Sequence, residues 1–337
     1  MANIHDVAKR AGVSATTAKR AIRDPDKLAP ATLRRVRQAI DELHYEPDQL
    51  ASALRSGHAT TVGLVIGSIV EPFFAELTRS IVHDARTRGY SVIVADNEYS
   101  SDVEATQLRS FYGHRVSGLI VRSAFGSGNI DYLRRMQRRG VGVVEVDYFV
   151  PGSTLSHVLL DNAGAVDEGV DHLVARGQRR IAPLGSYHPG LNTDERVRAF
   201  PLALERHGLP LQEAYRRPIP PTEWDAYALT HELMRLPEPP TVLFALTGSV
   251  ATGAYRALRE GGLRVPADVS LLAFDDYPWM SLVEPGIDTL AQPVAEMGAT
   301  AVRLLFDQIG AGGEAATERV RLPARLIVRG SVAAPLG

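Results

Sequence analysis

The 337-residue chain contains no cysteine. A disulfide framework, a thiol nucleophile and a thiolate metal site are therefore excluded. Long apolar runs are missing too: no segment approaches the roughly 20 residues that span a bilayer. The opening MANIHDVAKR has no apolar core of the kind that marks a secretion signal, so a cytoplasmic protein without membrane attachment is expected. HExxH, GxxxxGK[ST] and GxGxxG are all lacking, as is a Ser-His-Asp set marked by local context. No metal or other cofactor is expected, and enzymatic chemistry has little to stand on. An excess of one charge is also missing, since the net charge is -2. What remains is the composition of an ordinary soluble protein, 45% apolar and 23% charged, long enough for two or three domains.

The charge is unevenly placed. Up to Thr60 there are ten Lys or Arg and seven Asp or Glu, near +3, which leaves the rest near -5. A mildly basic head on an acidic body fits phosphate contacts confined to one end. Within that head, Ile4 to Ile22 (IHDVAKRAGVSATTAKRAI) reads as two short helices joined by a tight turn. Asn3 can cap the first, Ile4, Val7, Ala8 and Ala11 share a face, Gly12 ends it, and Ser14 can cap a second helix beginning at Ala15. The second helix exposes Ala15, Thr16, Lys19 and Arg20 and turns Thr17, Ala18 and Ile22 inward. Such a pair is either a plain helical hairpin or a helix-turn-helix whose second helix enters the major groove. Pro30 suits the first position of a third helix, in which Leu33, Val36, Ile40 and Leu43 repeat at helical spacing and close a small core.

Tyr45 to Arg55 (YEPDQLASALR) puts Leu50, Ala51 and Leu54 on one face with no partner. It is either a linker or a short helix ordered when something packs on it. From Thr61 the texture changes to apolar strands at 61–68, 90–97, 116–123, 141–147, 157–162, 180–186, 241–247 and 269–276, with helical stretches between most of them. Continuous apolar strands alternating with amphipathic helices imply parallel sheets covered on both faces. So many repeats imply two sheets, the first to about Asn162 and the second from about Ala163 to Ala291. Ligands in such folds sit beyond the carboxyl ends of the strands, where two sheets can share one cleft.

In its motifs the chain resembles the LacI family of bacterial transcription regulators. DVAKRAGVS at Asp6 to Ser14, YEPDQLASALRSG, RVSGLIV (115–121), HLVARGQRRIAPLG (172–185), GLRVPADVSLLAFDD (262–276) and RLIVRGSV (325–332) follow the family's order along nearly the whole length. The resemblance implies an N-terminal all-α helix-turn-helix DNA-binding domain over 1–46 and a hinge over 47–58. Behind them it implies an α/β core of two doubly wound parallel-sheet lobes, periplasmic-binding-protein-like, over 59–162 plus 292–322 and over 163–291 plus 323–337. It further implies a homodimer that binds near-palindromic double-stranded operator DNA, and a small-molecule effector between the lobes. The absence of leucine heptads after the last core segment argues against a tetramerising tail.

By the family pattern Ala15, Thr16 and Arg20 carry base specificity, and Arg20 has the fork for a paired contact with guanine. Thr17 is a packing or phosphate residue, and Lys19 and Ala18 depart from the family's usual serine and valine. Leu54 matches the hinge leucine that wedges a base step in the minor groove, with basic Arg55 beside it. Ala29 replaces a usual serine cap. For the effector, Phe73 and Phe74 are either a cleft wall or plain core. Asp147 and Asp275, each ending a strand, either accept ligand hydroxyls or cap a helix. Arg196 either bonds the ligand or makes a surface ion pair, and Trp224 either stacks on a sugar ring or is buried. Thr247 and Gly248 stand where many relatives carry a polar pair such as Asn-Asp, so the cleft has one hydroxyl acceptor fewer. A repressor of carbohydrate utilisation with a sugar effector is the expected function. A nucleobase or sugar-phosphate effector is the alternative, and a sugar-processing enzyme or a transport-type binding protein on the same fold is more remote.

Overall fold

A computed structural model describes residues 2–45, 59–126, 128–185, 195–217, 222–311 and 316–335. The chain divides into two compact units, Met1–Thr60 and Thr61–Gly337.

The first unit holds α1 (Ile4–Ala11), α2 (Ala15–Arg23) and α3 (Pro30–Glu42). Asn3 accepts from the Asp6 amide while the Asp6 carboxylate accepts from the Asn3 amide, a reciprocal capping box that satisfies two otherwise orphaned donors. Gly12 closes α1 at φ 64°, a left-handed conformation that only glycine adopts without strain. Ser14 Oγ then accepts from the Thr17 amide to open α2. Val7, Ala8 and Ala11 pack on Ala18, Ala21, Val36 and Ala39. Ile22 is not part of this core: it is 38% exposed, because Ala18 and Ala21 define the inward face and the next residue turns about 100° away from it. Ala29 makes no side-chain cap for α3, which instead opens on Pro30. Leu54, Arg55 and the rest of the expected hinge lie outside the described residues.

The second unit carries two sheets. The first contains β1 (Thr61–Ile66), β2 (Ser91–Asp96), β3 (Gly118–Val121), β4 (Gly142–Val146), β5 (Ser156–Leu160) and β10 (Arg319–Leu322) in the order β10-β5-β4-β3-β1-β2, all parallel. The second contains β6 (Ile181–Leu184), β7 (Val242–Ala245), β8 (Ser270–Phe274), β9 (Asp288–Ala291) and β11 (Arg325–Ile327) in the order β11-β9-β8-β7-β6, parallel except for β11. The strand of the AFDD motif is therefore not the last. β9, β10 and β11 follow it, and they are three or four residues long with charged residues among the apolar ones, so no continuous apolar run announces them.

Among the described residues, eight helices cover the sheets: α4 (Pro72–Thr87), α5 (Ser101–Gly113), α6 (Ile130–Arg138), α7 (Asn162–Ala175), α8 (Glu195–Arg206), α9 (Glu223–Leu233), α10 (Gly248–Glu260) and α11 (Val294–Gly310). The chain passes between sheets three times, from β5 into α7, from β9 into α11 and from β10 into β11. α11 thus returns to the first sheet, where Leu305 sits over Gly118 and Gly142. A Cβ on those glycines would come within 2.8 and 3.1 Å of its side chain. None of the described helices is long and apolar enough to cross a membrane.

The end of the chain is fastened by Asp288. Its carboxylate, fully buried, accepts from His172 Nε2 at 2.8 Å and from the amides of Arg329, Gly330 and Ser331 at 2.8, 2.6 and 3.1 Å. Burial by itself raises this carboxyl, but those hydrogen bonds outweigh it and hold it below the ordinary carboxylate value. A depressed folded value means that the stabilisation is present above the unfolded pKa of about 3.9 and is lost as pH falls through the folded value. Asp288→Ala strands these buried donors and is expected to cost about 3 kcal/mol in urea unfolding at pH 7. The deficit should shrink in acid, and a deficit of the same size at pH 3 would contradict this account.

Candidate DNA-binding helix and ligand cleft

On α2 the side chains of Thr16, Lys19 and Arg20 are exposed, Ala15 is half-buried at the first turn, and Ala18 is buried against α1. Thr17 is half-buried with its Oγ1 2.9 Å from Ser14 Oγ, so it supports the turn rather than projecting from it. The outward row is small at the helix start and cationic one turn later. That order suits close approach to base edges followed by phosphate or guanine contact.

In the core unit two acids hold matching places. Asp147 follows β4 with φ 66°, and Asp275 follows β8 with φ 64°. A left-handed residue that is not glycine is uncommon, and Asp tolerates the conformation better than most. In both lobes it turns the chain sharply at the carboxyl end of a strand. The two carboxylates then differ in what they bind.

Asp147 Oδ2 accepts from Nε of Arg122 at 3.3 Å. Arg122 is 5% exposed and donates through Nη1 to the Ser123 carbonyl at 2.8 Å. Its guanidinium lies 4.7, 4.5 and 4.9 Å from the ring centres of Tyr99, Phe125 and Tyr148, a cage that compensates a buried cation by cation–π attraction. Burial pushes the Tyr99 phenol above its ordinary value, against the pull of Arg122. Sequence reasoning missed Arg122. Its signal was an arginine directly closing the apolar strand in SGLIVRS. Behind this wall Glu104 is buried and accepts from Asn97, Asn129 and the Ala124 amide, which fixes the loop carrying Phe125.

Asp275 is a cap and a tie. Its Oδ2 accepts from the Gly248 amide at the start of α10 at 2.8 Å, and its Oδ1 from Gln292 Nε2 at 2.6 Å. Thr247 Oγ1 accepts from the Val250 amide on the same turn. Arg196, in the first turn of α8, lies 4.1 Å over the Phe274 ring and donates to Asn162 Oδ1 at 2.7 Å and to the Leu246 carbonyl at 2.8 Å. These contacts hold its guanidinium between α7, the end of β7 and the end of β8. Next to it Glu195 takes a two-pronged bond from Arg321 at 2.8 and 2.9 Å, which holds its carboxyl below the ordinary range despite partial burial.

Asp147, Tyr148, Asn162, Glu195 and Arg198 line a cavity of about 480 Å³ where the first lobe meets the start of α8. That volume lies in the range of small-molecule sites. Of the residues expected in the cleft, Asp147 lines this cavity, and Arg196 is joined to its wall through Asn162. Asp275 stands at a strand end of the second lobe. Phe73 and Phe74 do not belong with them: Pro72 starts α4 so that both rings pack into the first-lobe core, edge to face at 5.0 Å. Trp224 is not buried either. It is 69% exposed and stacked on Tyr227 of its own helix, with ring centres 5.4 Å apart. Among the described residues no group of three or more His, Asp or Glu could hold a metal ion.

Comparison with known proteins agrees with both units. Residues 3–48 match the family of bacterial regulatory proteins of the lacI type, and residues 170–332 match a periplasmic binding protein-like domain. The transcriptional regulator PtxS of Pseudomonas aeruginosa is 34% identical over 332 residues, covering 97% of this chain and 95% of the relative. The crystal structure of the lac repressor bound to ONPG in the repressed state superposes with a TM-score of 0.85 at 25% identity, covering 98% of this chain and 99% of that one. The complex of the regulator CelR with cellobiose gives a TM-score of 0.72 at 28% identity, over 98% of this chain and all of the other. With its capped helix pair ahead of two parallel-sheet lobes, and with relatives that match it from end to end, the chain belongs to the LacI family of bacterial transcriptional regulators.

Proposed function

We propose that this protein is a repressor that binds a near-palindromic operator as a dimer and is switched by a sugar or sugar derivative held between its lobes. The observation that carries the reading is the pairing of an exposed Thr16–Lys19–Arg20 row on α2 with a core in which each lobe has a strand ending in a left-handed Asp, with an arginine held over aromatic rings nearby. The first reads DNA; the second offers acceptors and planar donors to hydroxyl groups. CelR with its cellobiose and the lac repressor with ONPG support a carbohydrate effector. Asp147, Arg196 and the mouth of the Asn162 cavity are its proposed contacts. Asp275 organises that face of the second lobe, and Trp224 presents an open indole face for stacking. Switching needs only that the effector favour one arrangement of the lobes over another.

Two experiments test this. Duplexes selected from a random pool by the full chain should share a near-palindromic motif. Arg20→Ala should lose about 1–3 kcal/mol of preference at one position of each half-site. Lys19→Ala should instead weaken binding across sequences and lower the salt slope by about one. Unchanged preference in Arg20→Ala would remove α2 from its assigned role.

In the second experiment, thermal unfolding is followed with sugars, sugar phosphates and nucleobases. A true effector at a hundredfold excess over its Kd stabilises the native state by about 2.7 kcal/mol and raises Tm. Asp147→Asn and Arg196→Ala should each diminish that shift. A shift that survives in both variants would place the ligand elsewhere, and a shift with nucleobases alone would overturn the carbohydrate reading.

A further inference from the structure

Gly248 stands where the resemblance led one to expect a polar side chain, and the structure shows what has taken the space. A Cβ at 248 would fall within 2.7 Å of three ring atoms of Tyr277, far inside van der Waals contact. Tyr277 follows β8 by three residues and is 7% exposed. Its phenol reaches out of the second lobe and donates to Glu71 Oε2 at 2.9 Å. Ser249 Oγ, from the first turn of α10, donates to the same oxygen at 2.7 Å. Glu71 belongs to the first lobe, at the end of the loop that leads from β1 into α4. One carboxylate oxygen of one lobe is thus gripped by two hydroxyls of the other. The buried ring and its carboxylate neighbours leave the phenol firmly protonated, as the donor role requires.

The position of this contact matters as much as its chemistry. Two of the three crossings leave the first sheet at β5 and β10, while the third enters that lobe through the start of α11, which packs on α4. β1 lies four strand positions from β10, about 19 Å at the usual strand spacing. The Arg321–Glu195 ion pair joins the lobes at β10, close to a crossing, where it has little leverage on their angle. Glu71, Tyr277 and Ser249 join them at the start of α4, away from the crossings at β5 and β10.

We infer that Tyr277, admitted by Gly248, is a built-in latch that holds the two lobes at one angle in the absence of effector by gripping Glu71. The effector acts on a cleft already fastened between the starts of α4 and α10. This rests on the reading of the cleft as the effector site. It adds that the missing side chain at 248 was exchanged for a contact between lobes and not merely lost.

The test uses the cysteine-free background. Asp102→Cys on α5 and Arg259→Cys on α10 are both exposed and carry one spin label per lobe. The labelled full chain is diluted into unlabelled chain so that only distances within one chain are read, with no ligand added. The parent should give one narrow distance. Tyr277→Phe keeps the ring and removes the hydroxyl, and Glu71→Gln weakens the acceptor; both should broaden the distribution and move it. Gly248→Ala should do the same although Glu71, Ser249 and Tyr277 are intact, because the added methyl displaces the ring. Tyr277→Ala should then make Gly248→Ala harmless to Tm. Parent-like distances in both Tyr277→Phe and Glu71→Gln would overturn the latch. That result would leave operator selection and ligand-induced Tm shifts untouched, so it is distinct from a failure of the regulator reading.

Discussion

The second lobe is organised by one carboxylate. Parallel strands buried on both faces have no free edge along their length for polar groups, so recognition collects at the carboxyl ends. There Asp275 bonds the first amide of α10 and the side chain of Gln292, which lies in one of the three crossings between sheets. A single left-handed residue therefore ties together the end of β8, the start of α10 and a hinge strand. Phe274, just before it, is the floor for Arg196; Tyr277, just after it, is the ring that crosses to Glu71. Each donor that Asp275 satisfies would cost about 1–3 kcal/mol if left buried and unpaired.

The first lobe solves the same problem with a different partner. Asp147 has the same backbone conformation but turns its carboxylate to a buried guanidinium instead of a helix amide. The aromatic cage lets that arginine sit out of water, and the fixed Arg122 in turn orients the Asp147 carboxylate. The strand ends of the two lobes are therefore unlike: one is an ion pair framed by rings, the other a carboxylate held by a backbone amide and the Gln292 side chain with Arg196 nearby. A molecule held between them, as proposed for the effector, would meet a different mixture of donors and acceptors on each side.

Local signals were legible in the sequence. Asn3, Gly12 and Ser14 cap α1 and α2 as their residue types dictate, because a cap involves partners within about three residues. The main strands were legible as unbroken apolar runs. What was not legible depends on partners far along the chain. That Asp275 caps a helix depends on the Gly248 amide, 27 residues away. Helical spacing cannot tell whether Phe73 and Phe74 point to a core or a cleft, since both are apolar surroundings. Arg122 was overlooked because its cage is assembled from three separate loops, and Gly248 read as a loss because the ring that fills its place arrives from another strand.

The threading of the last elements has a consequence for how the molecule is made. β10 pairs with β5, and α11 covers β3 and β4, yet both are synthesised after the whole of the second sheet's parallel strands. The glycines under Leu305 stay uncovered until α11 has left the ribosome, and β5 has an open edge until β10 follows. The first lobe is thus completed only after the parallel strands of the second have been made, and during elongation its exposed strand edge is a part of the nascent chain in need of protection.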